Sequence, residues 1–150
     1  MQSTIYSFCN LDVWQDSQAL AAEVIGLLKA LRKDVATMEI SKQLVRSVGS
    51  APANIAEGHG RFPEGAYRNH LLIARGSLAE TASWLDLLRR YDYLDRQTEE
   101  ALSERTFSLI GRLGAKARTL DKRPAQATRT KEPSFTEPVR SGIDDRYQPV

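Results

Sequence analysis

Few side chains in this chain are placed to do covalent or metal chemistry. His59 and His70 are the two histidines among 150 residues. Neither stands in a Glu-x-x-His or His-x-x-x-His pair, so the carboxylate-bridged metal site of ferritin-like bundles is absent. Cys9 is the single cysteine, which excludes an internal disulfide and a thiolate cluster for zinc. Gly58-His59-Gly60 lacks both the Lys-Ser/Thr and the preceding strand of a phosphate loop. Ser77 and Ser83 have no histidine at a motif spacing. The expectation is a protein with no catalytic residue, no metal and no cofactor.

Charge offers a different chemistry. The net charge is only +2, but it is unevenly spread. Residues 1–111 carry 12 basic and 14 acidic side chains, residues 112–131 carry seven basic against Asp121 alone, and residues 132–150 carry two basic and four acidic. At about 100° per residue, Arg105, Arg112, Lys116 and Arg123 fall within about 20° of one line, and Lys122, next to Arg123 in sequence, is a further candidate for phosphate contact. That line lies about 80° from the inward leucines and is about 27 Å long. A cationic stripe of this kind can follow a phosphate backbone, releasing a counterion for each phosphate it neutralises. It also reads as a solvated face whose last turn suits cations through the helix dipole.

The elements that must carry these residues are four helices. Leu20, Val24, Leu27 and Leu31 recur at helical spacing after Asp12, a good N-cap residue. A second segment runs from about Met38 to Glu57 with Ile40, Leu44, Val48 and Ile55 on one side. Pro52 within it removes a backbone donor and is expected to kink or divide the helix, and Gly58 and Gly60 to end it. The third segment starts at Pro63 and Glu64 and closes near Arg90. Tyr67, Leu71, Ala74, Leu78, Thr81, Leu85 and Leu88 keep a four–three spacing along it, the period of a bundle seam. Asp95 caps the fourth, which turns Leu102, Thr106, Leu109, Leu113, Ala117 and Leu120 inward to about Leu120. Short connections make this an all-α, antiparallel up-down four-helix bundle.

The boundaries follow: 1–10 an N-terminal extension, 11–121 the bundle, 122–150 a disordered, basic, proline-containing tail with few large apolar residues. Hydrophobic residues make up 41% and charged residues 27%, the balance of a soluble globular chain. No apolar run reaches the ~20 residues of a membrane span, and no signal peptide precedes the bundle. With one cysteine, a cytoplasmic setting is expected. Trp84, Leu87 and Tyr91, with Tyr93, add apolar surface beside the third helix's seam. They read either as a broad core face or as an oligomer interface.

Between the second and third helices the chain reads Ala53-Asn54-Ile55-Ala56-Glu57-Gly58-His59-Gly60-Arg61, with Ser50 and Pro52 before it. Ile73-Ala74-Arg75-Gly76-Ser77-Leu78-Ala79-Glu80 follows, and Leu11-Asp12-Val13-Trp14-Gln15 stands near the N-terminus. In this order and spacing the blocks resemble the 23S rRNA intervening-sequence proteins, to which the accessory proteins of diversity-generating retroelements are related. The resemblance spans roughly residues 10–120 and excludes the tail. It implies a four-helix bundle that assembles into a homopentamer, with no known catalysis. The retroelement branch is understood to bind nucleic acid and its reverse transcriptase through a basic surface. This chain carries Glu80 and Asp86 where that branch tends to be basic, and its Leu78-Ala79-Glu80 looks more like the ribosomal-insertion branch.

Asn54, Glu57 and Arg61 share a helix face at i, i+3 and i+7. The structural reading pairs Glu57 with Arg61, sets Asn54 on backbone freed by Pro52 and gives Gly58 and Gly60 the positive φ of a turn; the functional reading is a polar site for a ligand or neighbouring subunit. For the whole chain the reading is a non-enzymatic oligomer that binds RNA or DNA through the fourth helix. The competing reading is a protein-binding accessory subunit, for example of a reverse transcriptase, or a purely structural assembly module. Salt separates these, since phosphate contacts weaken steeply with ionic strength and apolar contacts do not.

Overall fold

The computed structural model describes residues 4–60 and 64–121. After a short 3-10 helix, Thr4–Asn10, four helices follow: α1 (Asp12–Leu28), α2 (Val35–Gly60), α3 (Glu64–Arg90) and α4 (Arg96–Asp121). No strand occurs among the described residues. Each helix packs on the two others that flank it, α1 on α2, α2 on α3, α3 on α4 and α4 on α1. The 3-10 helix packs against α1 and α2. The expected four-helix bundle is the observed one. The expected tail, 122–150, lies outside the described residues.

The leucine seams close a single core. Leu20 and Val24 of α1, Leu44, Val48 and Ile55 of α2, and Leu71, Leu78, Leu85 and Leu88 of α3 are fully buried, with Leu102, Leu109 and Leu113 of α4 beside them. At roughly 1.5–3 kcal/mol per large side chain removed from water, this core is the main stabilising term. Leu27, Leu31 and Leu120, assigned to the seams by spacing, are only half-buried, because each lies at or beyond a helix end.

Several local expectations are corrected. Leu11, not Asp12, is the N-cap of α1, and it makes no side-chain cap bond; Asp12 sits in the first turn, where its charge meets the helix dipole. α2 begins three residues before Met38, because Asp34 and Thr37 cap it reciprocally: the Thr37 N–H donates to Asp34 Oδ1 (3.0 Å) and the Asp34 N–H to Thr37 Oγ1 (3.0 Å). Pro52 does not divide α2, which runs unbroken to Gly60 with Pro52 buried inside it. Neither Gly58 nor Gly60 has a positive φ; the turn use assigned to them is absent. Gly58 is instead needed for contact: a Cβ there would lie 2.5 Å from the His70 Cβ on α3. Asp95 does cap α4, accepting from the Thr98 N–H (2.9 Å). α3 ends in a Schellman turn, with Asp92 at φ 57° and the Tyr93 N–H donating to the Leu88 carbonyl (2.9 Å).

Between α2 and α3 a polar seam runs beside the leucines. Thr81 Oγ1 lies 3.0 Å from Ser47 Oγ, and Ser77 Oγ donates to Ser50 Oγ at 2.9 Å. Asn54 Nδ2 donates to the Ser50 carbonyl (2.9 Å), while its Oδ1 lies 3.1 Å from His70 Nδ1. Small hydroxyls on both helices let the backbones approach and give every buried polar atom of this row a partner. The connections at one end of the bundle are tied together as well. Tyr93, after α3, donates its hydroxyl to Asp34 (2.6 Å), and Arg32 stacks over the Tyr93 ring at 5.1 Å. The Asp34 carboxyl is held down at about 2, first by the Thr37 N–H and then by the Tyr93 hydroxyl and Arg32.

Candidate nucleic-acid interface

α4 presents the expected basic residues on one side, but α1 faces them with carboxylates. Arg105 pairs with Glu23, and Arg112 pairs with Asp16. Both arginines and both acids remain substantially exposed. Such exposed pairs contribute only about 0–1 kcal/mol each, so they are exchangeable, yet they offset the charge of the stripe locally. Lys116, one turn further, sits over the Tyr67 ring at 5.9 Å. The Tyr67 hydroxyl is buried without a hydrogen-bond partner among the described residues, and burial pushes its pKa up. Lys122 and Arg123 lie outside the described residues.

A second pair of cations stands on the α3–α4 side. Arg75 of α3 lies across Gly114 of α4, and Arg118 comes over the same spot. A Cβ on Gly114 would be 3.2 Å from Arg75 Nε, 3.3 Å from its Cζ and 3.5 Å from Arg118 Nη1. The absence of a side chain on Gly114 therefore makes the bed on which the guanidinium rests. Arg75 Nε is shut off from solvent and has no hydrogen-bond partner. Among the described residues neither Arg75 nor Arg118 has a carboxylate partner. Two guanidiniums that meet without a carboxylate partner among the described residues offer planar forked donors of the geometry that matches phosphate oxygens. Arg68, one helical stretch away on α3, is by contrast paired with Asp121.

Arg75 appeared in the sequence within the block following the α2–α3 turn, with no role given to it. The spacing of α3 says that Arg75 is off the seam, but not that a glycine of α4 faces it. Arg118 is one of the seven basic residues of 112–131, and it projects about 200° of helix rotation from Lys116, off the stripe.

The motif residues divide. Asn54 joins the α2–α3 polar seam, bonded to the Ser50 carbonyl rather than to the carbonyl that Pro52 frees. Glu57 approaches His70 at 3.9 Å; its expected partner Arg61 lies outside the described residues. Gly60 has open space where a Cβ would go. Of the interface candidates, Trp84 and Leu87 are half-buried against the core, with Trp84 Nε1 donating to Glu80 (3.1 Å), and Tyr91 is exposed. Exposed Ile73 and Phe107 were not singled out by spacing, because each lies off its helix's seam.

His59 bonds Ser7 Oγ through Nε2 (2.9 Å) and meets the Tyr67 ring edge-on at 5.7 Å. No group of three or more His, Cys, Asp or Glu that could hold a metal ion occurs among the described residues. No helix among the described residues is long and apolar enough to cross a membrane.

A family model described as 23S rRNA-intervening sequence protein matches residues 9–115. Among solved structures, the chain is similar to a protein with unknown function from the S23 ribosomal protein family of Bacteroides thetaiotaomicron VPI-5482. The two are 28% identical with a TM-score of 0.65, over 71% of this chain and 98% of the other. No curated protein matches the chain.

Proposed function

Since the chain belongs to the 23S rRNA-intervening sequence protein family, we propose that it is a non-enzymatic, self-assembling bundle that binds the phosphate backbone of RNA or DNA. The contact surface is the end of the bundle where α3 begins and α4 finishes. The observation that carries this reading is the convergence of Arg75 and Arg118 over Gly114 without a carboxylate partner. Lys116 adds a further cation on α4, and Lys122 and Arg123 follow Asp121 in sequence. The outer stripe, Arg105 and Arg112, contributes less because Glu23 and Asp16 already occupy it.

Assembly into a homo-oligomer, a pentamer in this reading, would repeat the positive end around a ring and present many phosphate contacts at once, which multiplies the effective concentration of each. Exposed Tyr91, Ile73 and Phe107 supply apolar surface for that assembly.

The test compares two double variants on a generic single-stranded RNA at low salt. Arg75→Ala with Arg118→Ala is expected to weaken binding roughly tenfold per guanidinium, the equivalent of the ~1.5 kcal/mol of a charge-assisted hydrogen bond. Arg105→Ala with Arg112→Ala is expected to cost less. Equal losses, or none from the first pair with helicity intact, would contradict the assignment.

A further inference from the structure

The surface between α1 and α2, away from the cationic end, holds a groove of about 920 Å³. Its floor is apolar, built from Ile25, Leu28 and Leu31 after and along α1 and from Met38 and Val45 of α2. Ile25, Met38 and Val45 are 39%, 55% and 40% exposed, which is surface that usually lies under something. Five basic side chains rim it, Lys29, Arg32, Lys33, Lys42 and Arg46, against one carboxylate, Glu39. Glu39 is held by Lys42 (2.7 Å) and Arg32 by Asp34 (3.1 Å). Lys29, Lys33 and Arg46 have no ion-pair partner among the described residues. An apolar floor with an unsatisfied cationic rim fits an acidic segment that carries regularly spaced apolar side chains.

The chain itself contains one. In 132–150, Phe135, Val139, Ile143 and Tyr147 recur at every fourth position, among four acids, Glu132, Glu137, Asp144 and Asp145, and two bases, Arg140 and Arg146, a net charge of −2. This stretch lies beyond the residues that the family model matches. It is too polar to bury its own apolar residues in a core, whereas a preformed groove supplies the surface it lacks.

We propose that residues 132–150 dock in the α1–α2 groove of the same chain, their apolar side chains on its floor and their carboxylates against its basic rim. The reach is sufficient. Residues 122–134 span up to about 43 Å when extended. Arg105 pairs with Glu23, two residues before Ile25 of the groove in sequence, and precedes Asp121 by about 24 Å of helix. Tethering holds the segment near the groove at an effective concentration on the order of millimolar, so modest intrinsic affinity keeps it seated.

The experiment uses the full chain with Cys9→Ser and Met38→Cys, and follows maleimide labelling of the groove thiol. The expected result is labelling at least fivefold slower than in the same chain carrying Phe135→Ser, Val139→Ser, Ile143→Ser and Tyr147→Ser, with no dependence on protein concentration. Fast labelling in both chains would overturn the proposal, leaving the groove to a partner protein. Slow labelling in both would overturn it too, and concentration dependence would then identify a second copy as the cover. A Met38→Cys, Thr136→Cys pair on the same background, cross-linked in a mixture of light and heavy isotope-labelled chains, is expected to give links within one chain. Links joining light to heavy chains would refute docking in cis.

Discussion

Gly58 and Gly60 look alike in the sequence and differ in what surrounds them. A methyl at Gly58 meets the Cβ of His70, which is anchored to the α3 backbone and cannot swing away, while a methyl at Gly60 meets nothing within 4 Å. Gly58→Ala is therefore expected to destabilise the protein by about 1–3 kcal/mol, as overpacking between helices does. Gly60→Ala is expected to be neutral or stabilising by up to ~1 kcal/mol. Denaturant midpoints of the two variants check this directly, and equal effects would mean that close approach is not the reason for Gly58. Asp34 gives a prediction in pH. Its carboxyl titrates at about 2 in the folded protein against about 3.9 unfolded. The folded-state pKa is depressed, so the stability it contributes is present above pH 4 and is lost as pH falls toward 2. Asp34→Asn should flatten that part of the melting-temperature profile; an unchanged profile would show that the α1–α2 cap does not couple to folding. What could be read here from sequence was residue type. That glycine at 58 serves a contact, or that Asp34 faces Tyr93, depends on neighbours 12 and 59 residues distant.

At the scale of elements, period alone was enough to place the four helices and most of their buried positions, from Leu20 through Ala117. Seams are legible because burial repeats every three or four residues and core leucines obey that repeat. Helix ends were less so. The run of α2 through Pro52 and Gly58 rests on packing that single-helix spacing does not report, and the reciprocal Asp34–Thr37 cap is a local polar pair outside the apolar repeat. The basic stripe on α4 was legible as a stripe, but its partners Asp16 and Glu23 lie on α1, and only the bundle brings the two helices face to face. This yields a prediction opposite in sign to a charge deletion. Asp16→Asn with Glu23→Gln releases Arg112 and Arg105, and should raise affinity for RNA and increase the steepness of its salt dependence by about two phosphate contacts. Filter binding across a salt series measures both; unchanged slope would mean that the stripe does not reach the nucleic acid.

For the molecule as a whole, cations gather in two places, beside Gly114 on the α3–α4 side and around the apolar floor of the α1–α2 groove. Arg75 and Arg118 meet over Gly114, and Tyr91, Ile73 and Phe107 are exposed apolar side chains that the proposed assembly would cover. Assembly is expected to show as a sedimentation mass of several subunits at micromolar concentration, insensitive to salt because the covered surface is apolar. A single-subunit mass would remove multivalency from the proposal. The most direct test of the central claim is the salt dependence of binding to single-stranded RNA by the intact protein. Phosphate contacts by Arg75, Arg118 and Lys116 predict that log affinity falls linearly with log salt with a slope of about −2 or steeper, at roughly −0.7 per phosphate for a single strand. The slope should become shallower by about one and a half in the Arg75→Ala, Arg118→Ala protein. No retention of RNA at low salt, or a slope unchanged by the double substitution, would contradict it.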